Sequence, residues 1–380
     1  MVYGCIPTYN KKLLWDVDTQ TFDGFLRRED TMKFSRAHRI RARIATLATL
    51  TSLIAVSVSA ASAEEAFGDQ RKGEFRIYIS MTTSKDISVM VEGFNKHFPN
   101  IKVDWVRAGS LKTVNRFVAE RQAGRVYADL VHAADPGGFY YFADKGWIDK
   151  RLAQLPVTED YREGFYDKDA GWVAMRATGI ALMYNANLLN KEDAPKSWKE
   201  LVDRKWKGKI AMADPTRAGS SFSFLYAMWK LYGVDYLKEL GKNDILVAGE
   251  GGGTRIALAN GERALSPVSE YDAFRLKKEG LPVDVIWPTD GTIMVPAPLA
   301  LVKGSPNPDA ALLFAKYILS KEGQEIITKA IYSWSANKSV AAPEMKPELN
   351  QVKLLEFDWR KAEKEKNTLL DLYFEHVQPK

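Results

Sequence analysis

The stretch Lys209–Phe224, KIAMADPTRAGSSFSF, decides how the rest of the chain is read. Ile210–Ala213 is short and apolar and follows the turn pair Lys207-Gly208, as a strand entering a sheet does; Asp214-Pro215 then stops it. After Gly219 come the N-cap types Ser220 and Ser221, followed by Phe222, Leu225, Tyr226 and Trp229 at helical spacing. A helix is therefore predicted to begin at one of the serines. Its first turn would present free N–H groups, two hydroxyls and the positive end of the dipole, which suit a phosphate, phosphonate or carboxylate at the edge of a sheet.

The same grammar recurs on both sides. Upstream, Phe75–Ile79 reads as a strand, Ser80–Ser84 as a polar turn, and Ile87, Val89, Met90, Val91 and Phe94 as a helix. The strand Ile101–Val106, a helix capped by Ser110, and the strand Ala128–Val131 follow, which predicts a parallel, mostly buried sheet. Trp172–Tyr184 is an unusually long extended run, and Thr292–Val302 is a second one. Between them, Gly249–Thr254 forms another strand-to-helix turn able to nest an anion. The tail from Pro343 is charged and helix-prone, and is expected on the outside.

At 380 residues the chain suits two lobes. Residues 1–31 read as a mis-assigned upstream start. Residues 32–63, with the basic Lys33–Arg43, the weakly apolar Ile44–Val58 and Ala61-Ser62-Ala63, have the layout of a signal peptide cleaved before Glu64. Of 54 Lys and Arg and 48 Asp and Glu, 9 and 5 precede Glu64, leaving 45 against 43. That balance removes the case for a nucleic-acid partner. The single cysteine, Cys5, also precedes Glu64. A disulfide, a thiolate metal site and a lipid anchor at the cleavage point are thereby excluded from the mature part, which is expected to be a free periplasmic monomer.

The order of elements, with Tyr184-Asn185 ending the long strand, then KSWKELVDRKWKGKIAMADP, Gly219-Ser220 and VKGSPNPDAALLFAKYILSKEGQE, resembles the periplasmic solute-binding proteins of ABC importers. The branch it resembles is the ferric-iron-binding type, which also includes binders of phosphorylated sugars and aminoethylphosphonate. The resemblance spans Phe75 to about Ala342. It implies an α/β, two-lobe periplasmic binding protein fold of type II, its lobes joined by crossing strands, with residues 64–178 and 290–380 in the first lobe and 179–289 in the second. It further implies a ligand in the cleft, closure by a hinge, and an inner-membrane permease as partner.

Iron-binding members use adjacent tyrosines. The matching place here is Glu270-Tyr271-Asp272-Ala273, with one tyrosine where two are expected, while the adjacent pair Tyr140-Tyr141 reads as core packing among Phe139 and Phe142. A small anionic or zwitterionic solute, phosphorylated or phosphonate, fits the residues better. Thr82, Thr83, Ser84, Ser220, Ser221, Gly253 and Thr254 are the candidates around the anion, Glu270 and Asp272 those for an amine or sugar hydroxyls, and Asp214 and Tyr271 further ligand-binding candidates. Ferric iron held by Tyr271 and its carboxylate neighbours is the alternative, followed by a polyamine or thiamine.

An enzyme is disfavoured, and no cofactor is expected. Gly219-Ser220-Ser221-Phe222-Ser223 lacks the last glycine of a nucleophile elbow, Gly249–Thr254 lacks the Lys-Ser/Thr of a phosphate loop, and His97, His132 and His376 are not at metal spacing. Each histidine reads as a satisfied core or surface residue.

Overall fold

A computed structural model describes residues 72–378; the expected leader and the segment before it lie outside them. The first half runs β1 (Gly73–Ile79), α1 (Ser84–His97), β2 (Ile101–Arg107), α2 (Ser110–Gln122), β3 (Leu130–His132) and α3 (Pro136–Asp144). β2, β1 and β3 lie side by side in parallel. Each is joined to the next through a helix, the connection that parallel strands require. Ile77, Phe94, Leu130, Phe139 and Phe314 pack in the core between sheet and helices.

Short strands β4 (Ile148–Asp149) and β5 (Tyr166–Asp167) precede β6 (Trp172–Asn185), every residue of which is buried. Next come β7 (Ala211–Met212), α4 (Gly219–Tyr232), α5 (Val234–Gly241), β8 (Leu246–Val247), α6 (Gly251–Ala259), β9 (Leu265–Ser269), α7 (Glu270–Lys278) and β10 (Val283–Ile286). Between β6 and β7 the chain makes two short 3-10 turns, Lys199–Val202 and Arg204–Trp206. The chain closes with β11 (Thr292–Val302), α8 (Pro308–Leu319), α9 (Lys321–Ile331), β12 (Leu354–Leu355), α10 (Trp359–Lys364) and α11 (Lys366–His376).

β6 and β11 pair antiparallel and carry the chain from one core to the other. Val173–Ala177 and Leu299–Val302 belong to the first core, whereas Ile180, Leu182, Ile293 and Val295 belong to the second, with Trp198, Met212, Phe224 and Leu265. These are the two crossing strands of a bilobed α/β fold. The parallel expectation holds for β1 to β3, whereas the crossing strands have mainly antiparallel neighbours. β9 and β10 flank the far half of β6 antiparallel, because the crossing strand enters the second lobe running against them. β7 and β8 form a separate parallel pair, linked to β9 by the bridge between Ile210 and Leu265.

The tail is less peripheral than its charge predicts. α10 packs on α3, and α11 places Leu369 and Tyr373, both fully buried, in the core that holds Trp198 and Leu237. Apolar residues at helical spacing among the lysines supply that buried face.

The pairing of β6 with β11 is interrupted once, beside Pro298. Ala297 opposes Arg176 and its neighbour Pro298 opposes Ala174, so Met175 is an extra residue on the β6 side, a β-bulge. Pro298 has no N–H to give to the ladder, and the Met175 carbonyl is met instead by Gln324 Nε2 at 2.9 Å. A bulge resets the in-out alternation of a strand, and here the residue just after it is the charged one.

Candidate functional site

A cavity of about 420 Å³ lies where the first turns of α2, α4, α6 and α7 converge from the two lobes. The residues at their N-caps, Gly109, Ala218, Glu250 and Ser269, make no side-chain capping bond. In α6 the Gly253 N–H already donates to the Glu250 carbonyl at 2.9 Å; the other leading N–H groups of these helices lack an acceptor one turn back, and the dipoles put partial positive charge on the cavity. α4 comes close to the first lobe because its leading residue is glycine. A Cβ on Gly219 would stand 2.4 Å from the Ala134 carbonyl oxygen, far inside contact distance.

Four arginines line this space, Arg107, Arg176, Arg217 and Arg255, against two carboxylates, Glu250 and Asp272. Arg176 is only 4 % exposed. Its Nη1 donates to Thr178 Oγ1 at 2.7 Å, its guanidinium stands 5.1 Å over the ring of Tyr271, and its Nε is buried without an acceptor. Among the described residues no carboxylate forms an ion pair with it. Arg107 Nη1 reaches only the carbonyls of Met81 and Thr82, at 3.3 and 3.4 Å. Arg255 Nη1 donates to Asp272 Oδ1 at 3.3 Å, and Arg217 approaches Glu250 at 3.9 Å. Two of the four positive charges thus lack a carboxylate. Burying a bare cation costs several kcal/mol, roughly, and an anion in the cleft offsets that cost.

Burial pushes the Asp272 carboxyl up to about 6, against the pull of Arg255, Arg275 and Arg176. His132 lies fully buried on β3, with both ring nitrogens unpartnered, so it is a core residue but not a satisfied one. Burial first, then the nearby Arg176 charge, hold it well below the ordinary histidine range, and it is neutral.

The candidates drawn from the sequence divide. Thr82, Ser220, Gly253, Tyr271 and Asp272 line the cavity, and Thr82 Oγ1 donates to the Tyr271 hydroxyl oxygen at 3.4 Å across the lobes. Thr83, Ser84, Asp214, Ser221, Thr254 and Glu270 do not line it. Thr83 caps α1, accepting from the Asp86 N–H while the Asp86 carboxylate accepts from its own, and Ser84 is exposed in the turn that follows. Asp214 holds its turn together by accepting from the Thr216 N–H and hydroxyl. Ser221 and Thr254 are buried on the inner sides of α4 and α6. Glu270 is buried in an ion pair with Lys346 Nζ at 2.5 Å, which also donates to the Tyr332 carbonyl and lies 3.6 Å over the Trp334 ring.

The anion-facing turn of the first lobe is therefore that of α2 rather than α1. Ser110 bridges it to β1 and β3, its Oγ 2.9 Å from Ser80 Oγ and accepting from the Ala134 N–H at 3.2 Å. Sequence reading missed all four arginines. One left a signal: Arg176 is the lone charge in the otherwise apolar run WVAMRATGIALMY, and a charge in a fully buried strand needs a partner.

Residues 89–353 match the family of bacterial extracellular solute-binding proteins. The chain belongs to that family. This binding protein is 28% identical over 351 residues to an uncharacterized protein of Haemophilus influenzae, covering 87% of this chain and 97% of that one. It is 23% identical over 256 residues to a Salmonella typhimurium periplasmic protein provisionally named for 2-aminoethylphosphonate binding, covering 65% and 72%. Among solved structures it resembles the periplasmic binding protein AfuA of Actinobacillus pleuropneumoniae, with fructose-6-phosphate bound (24% identity, TM-score 0.73, covering 82% of this chain and 100% of that one). It also resembles iron-bound HitA of Pseudomonas aeruginosa (20% identity, TM-score 0.71, covering 80% and 98%). It is thus a periplasmic solute-binding protein of the ABC-importer type, taking a small solute between its lobes, with a membrane permease as the partner of such proteins.

Proposed function

We propose that the solute is a small phosphorylated or phosphonate compound, captured in the cleft after export by a cleaved leader at residues 32–63 and handed in the closed state to the permease. The observation that carries this reading is Arg176, a buried guanidinium with no carboxylate partner among the described residues, aimed by a β-bulge at a cavity ringed by uncapped helix N-termini. A tetrahedral oxyanion takes hydrogen bonds from several directions at once, which suits donors arriving from two lobes. Each charge-assisted bond contributes about 1.5–3 kcal/mol, so four or five reach micromolar affinity after the cost of closing. Asp272 and Glu250 then face the remainder of the solute, hydroxyls or an amine. The relatives named for aminoethylphosphonate and solved with fructose-6-phosphate agree with such a ligand.

Lobe boundaries near residues 178 and 290 follow from the same reading, with the hinge in β6 and β11 where their residues pass from one core to the other. Iron is the second reading, and Tyr271 favours it by lining the cavity. It stands there alone, however, under the Arg176 cation, and the described residues hold no cluster of three or more His, Cys, Asp or Glu suited to a metal. A thermal-shift screen of metal-stripped residues 64–380 against hexose phosphates, aminoethylphosphonate, ferric citrate, thiamine and polyamines separates these. Stabilisation by a phosphate or phosphonate that is lost in Arg176→Met supports the proposal; stabilisation by ferric iron alone, with a tyrosinate charge-transfer band, overturns it.

A further inference from the structure

The cleft does not end at Arg217 and Glu250. These two residues also form a wall of an outer chamber of about 590 Å³, whose other walls are Lys112, Asn115 and Arg116 of α2 and Thr216 of the turn before α4. Two of its polar groups are already engaged. Arg116 Nε donates to Glu120 at 2.9 Å, with its guanidinium 4.6 Å over the Tyr78 ring, and the Thr216 hydroxyl donates to Asp214 at 2.6 Å. The others are not. Lys112 has no ion pair among the described residues, and Arg217 has only the long approach to Glu250 at 3.9 Å. With Arg116 neutralised by Glu120, the chamber sets Lys112 and Arg217 against the single carboxylate of Glu250, so it remains positive. Lys112 also stands in the first turn of α2, where the dipole adds to its charge.

We propose that the solute carries a second acidic group, remote from the one Arg176 holds, and that this group rests in the outer chamber against Lys112 and Arg217. The ligand class is a bisphosphorylated sugar or a phosphorylated sugar acid rather than a simple monoester. The inference rests on the phosphate reading of the inner cleft and adds to it. Charges this exposed interact weakly and are screened beyond about 8–10 Å at ordinary salt, so the second group adds a modest increment to affinity.

Calorimetric titration of the protein with fructose 6-phosphate, fructose 1,6-bisphosphate and 6-phosphogluconate reads this increment. At low salt the two doubly acidic compounds are expected to bind about 3–10-fold more tightly than the monophosphate, and the advantage shrinks as salt rises. Lys112→Ala abolishes the advantage and leaves monophosphate affinity within about twofold, as an exposed residue outside the inner cleft should. Equal affinities in the unmodified protein, or an advantage that survives Lys112→Ala, overturn the inference while leaving the phosphate reading intact. If none of the three binds, the inference falls together with the sugar-phosphate form of that reading, and aminoethylphosphonate in the thermal-shift screen decides its phosphonate form.

Discussion

Arg275 of α7 donates from Nη1 to Asp86 Oδ2 of α1 at 3.1 Å, an ion pair between the lobes with both side chains largely out of water. α7 also carries Tyr271 and Asp272 into the cleft, so one helix both lines the cleft and ties the two lobes together. A parting of the lobes would leave Asp86 its bond from the Thr83 N–H and would take the Asp86 partner from Arg275. Arg275→Gln is therefore expected to raise the dissociation rate of the solute about tenfold, with little change in association rate. Stopped-flow release is the measurement. An unchanged rate would mean that closure does not depend on this pair.

Replacement of Arg176 tests the anchor. Arg176→Met should weaken binding of a phosphorylated solute by at least about 100-fold, equivalent to roughly 3 kcal/mol, while Arg176→Lys recovers little, because a point charge lacks the planar fork. Removing a buried unpaired cation should also leave the ligand-free melting temperature equal or higher. A severe loss of stability in Arg176→Met would assign the residue to the fold.

Gly219 sets how closely α4 meets the first lobe. Gly219→Ala places a methyl 2.4 Å from the Ala134 oxygen, so the closed form must open by a fraction of an ångström or more. Affinity should fall by about tenfold or more while the open protein melts normally, because Ala is the better helix former at that position. Small-angle scattering with and without solute would show whether the compaction on binding is lost.

The Glu270–Lys346 pair belongs to the fold, not to the site. Lys346→Met leaves a buried carboxylate without its cation and should cost about 3–5 kcal/mol. Adding Glu270→Gln to it should restore most of that loss. Urea unfolding of the single and double variants measures both, and independent effects would show that the two groups do not interact.

Asp272 gives the ligand-free protein a pH dependence of known sign. Its folded-state carboxyl titrates near 6, above the ordinary value of 3.8, so the folded form binds the proton more tightly than the unfolded chain. Its contribution to stability is full below the ordinary value and is lost as pH rises through 6. Acidification from pH 7.5 to 5 should therefore stabilise the protein by about 1–2 kcal/mol through this group alone. Melting curves of the unmodified protein and Asp272→Asn across that range should differ in slope; parallel profiles would mean that Asp272 keeps an ordinary pKa.

The local grammar of this protein is written in its sequence. The strand-turn-helix units, the long apolar runs that became β6 and β11, and the small residues at the start of α4 are all recognisable, because helix periodicity, capping and turn chemistry act over about four residues. That locality also explains the misreadings. Hydroxyls at a predicted helix start were equally suited to a cleft and to a cap, and Thr83 caps because Asp86 is three residues away. The choice of α2 over α1, the gathering of Arg107, Arg176, Arg217 and Arg255, and the removal of Glu270 from the cleft depended on chain crossings. Arg275 meets Asp86 across 189 residues and Lys346 meets Glu270 across 76. The sequence determined which segments fold as strands and helices and that the chain crosses twice between lobes. Only the tertiary structure decided which charges were left without partners, because desolvation and ion pairing depend on distance in space, to which separation along the chain is no guide.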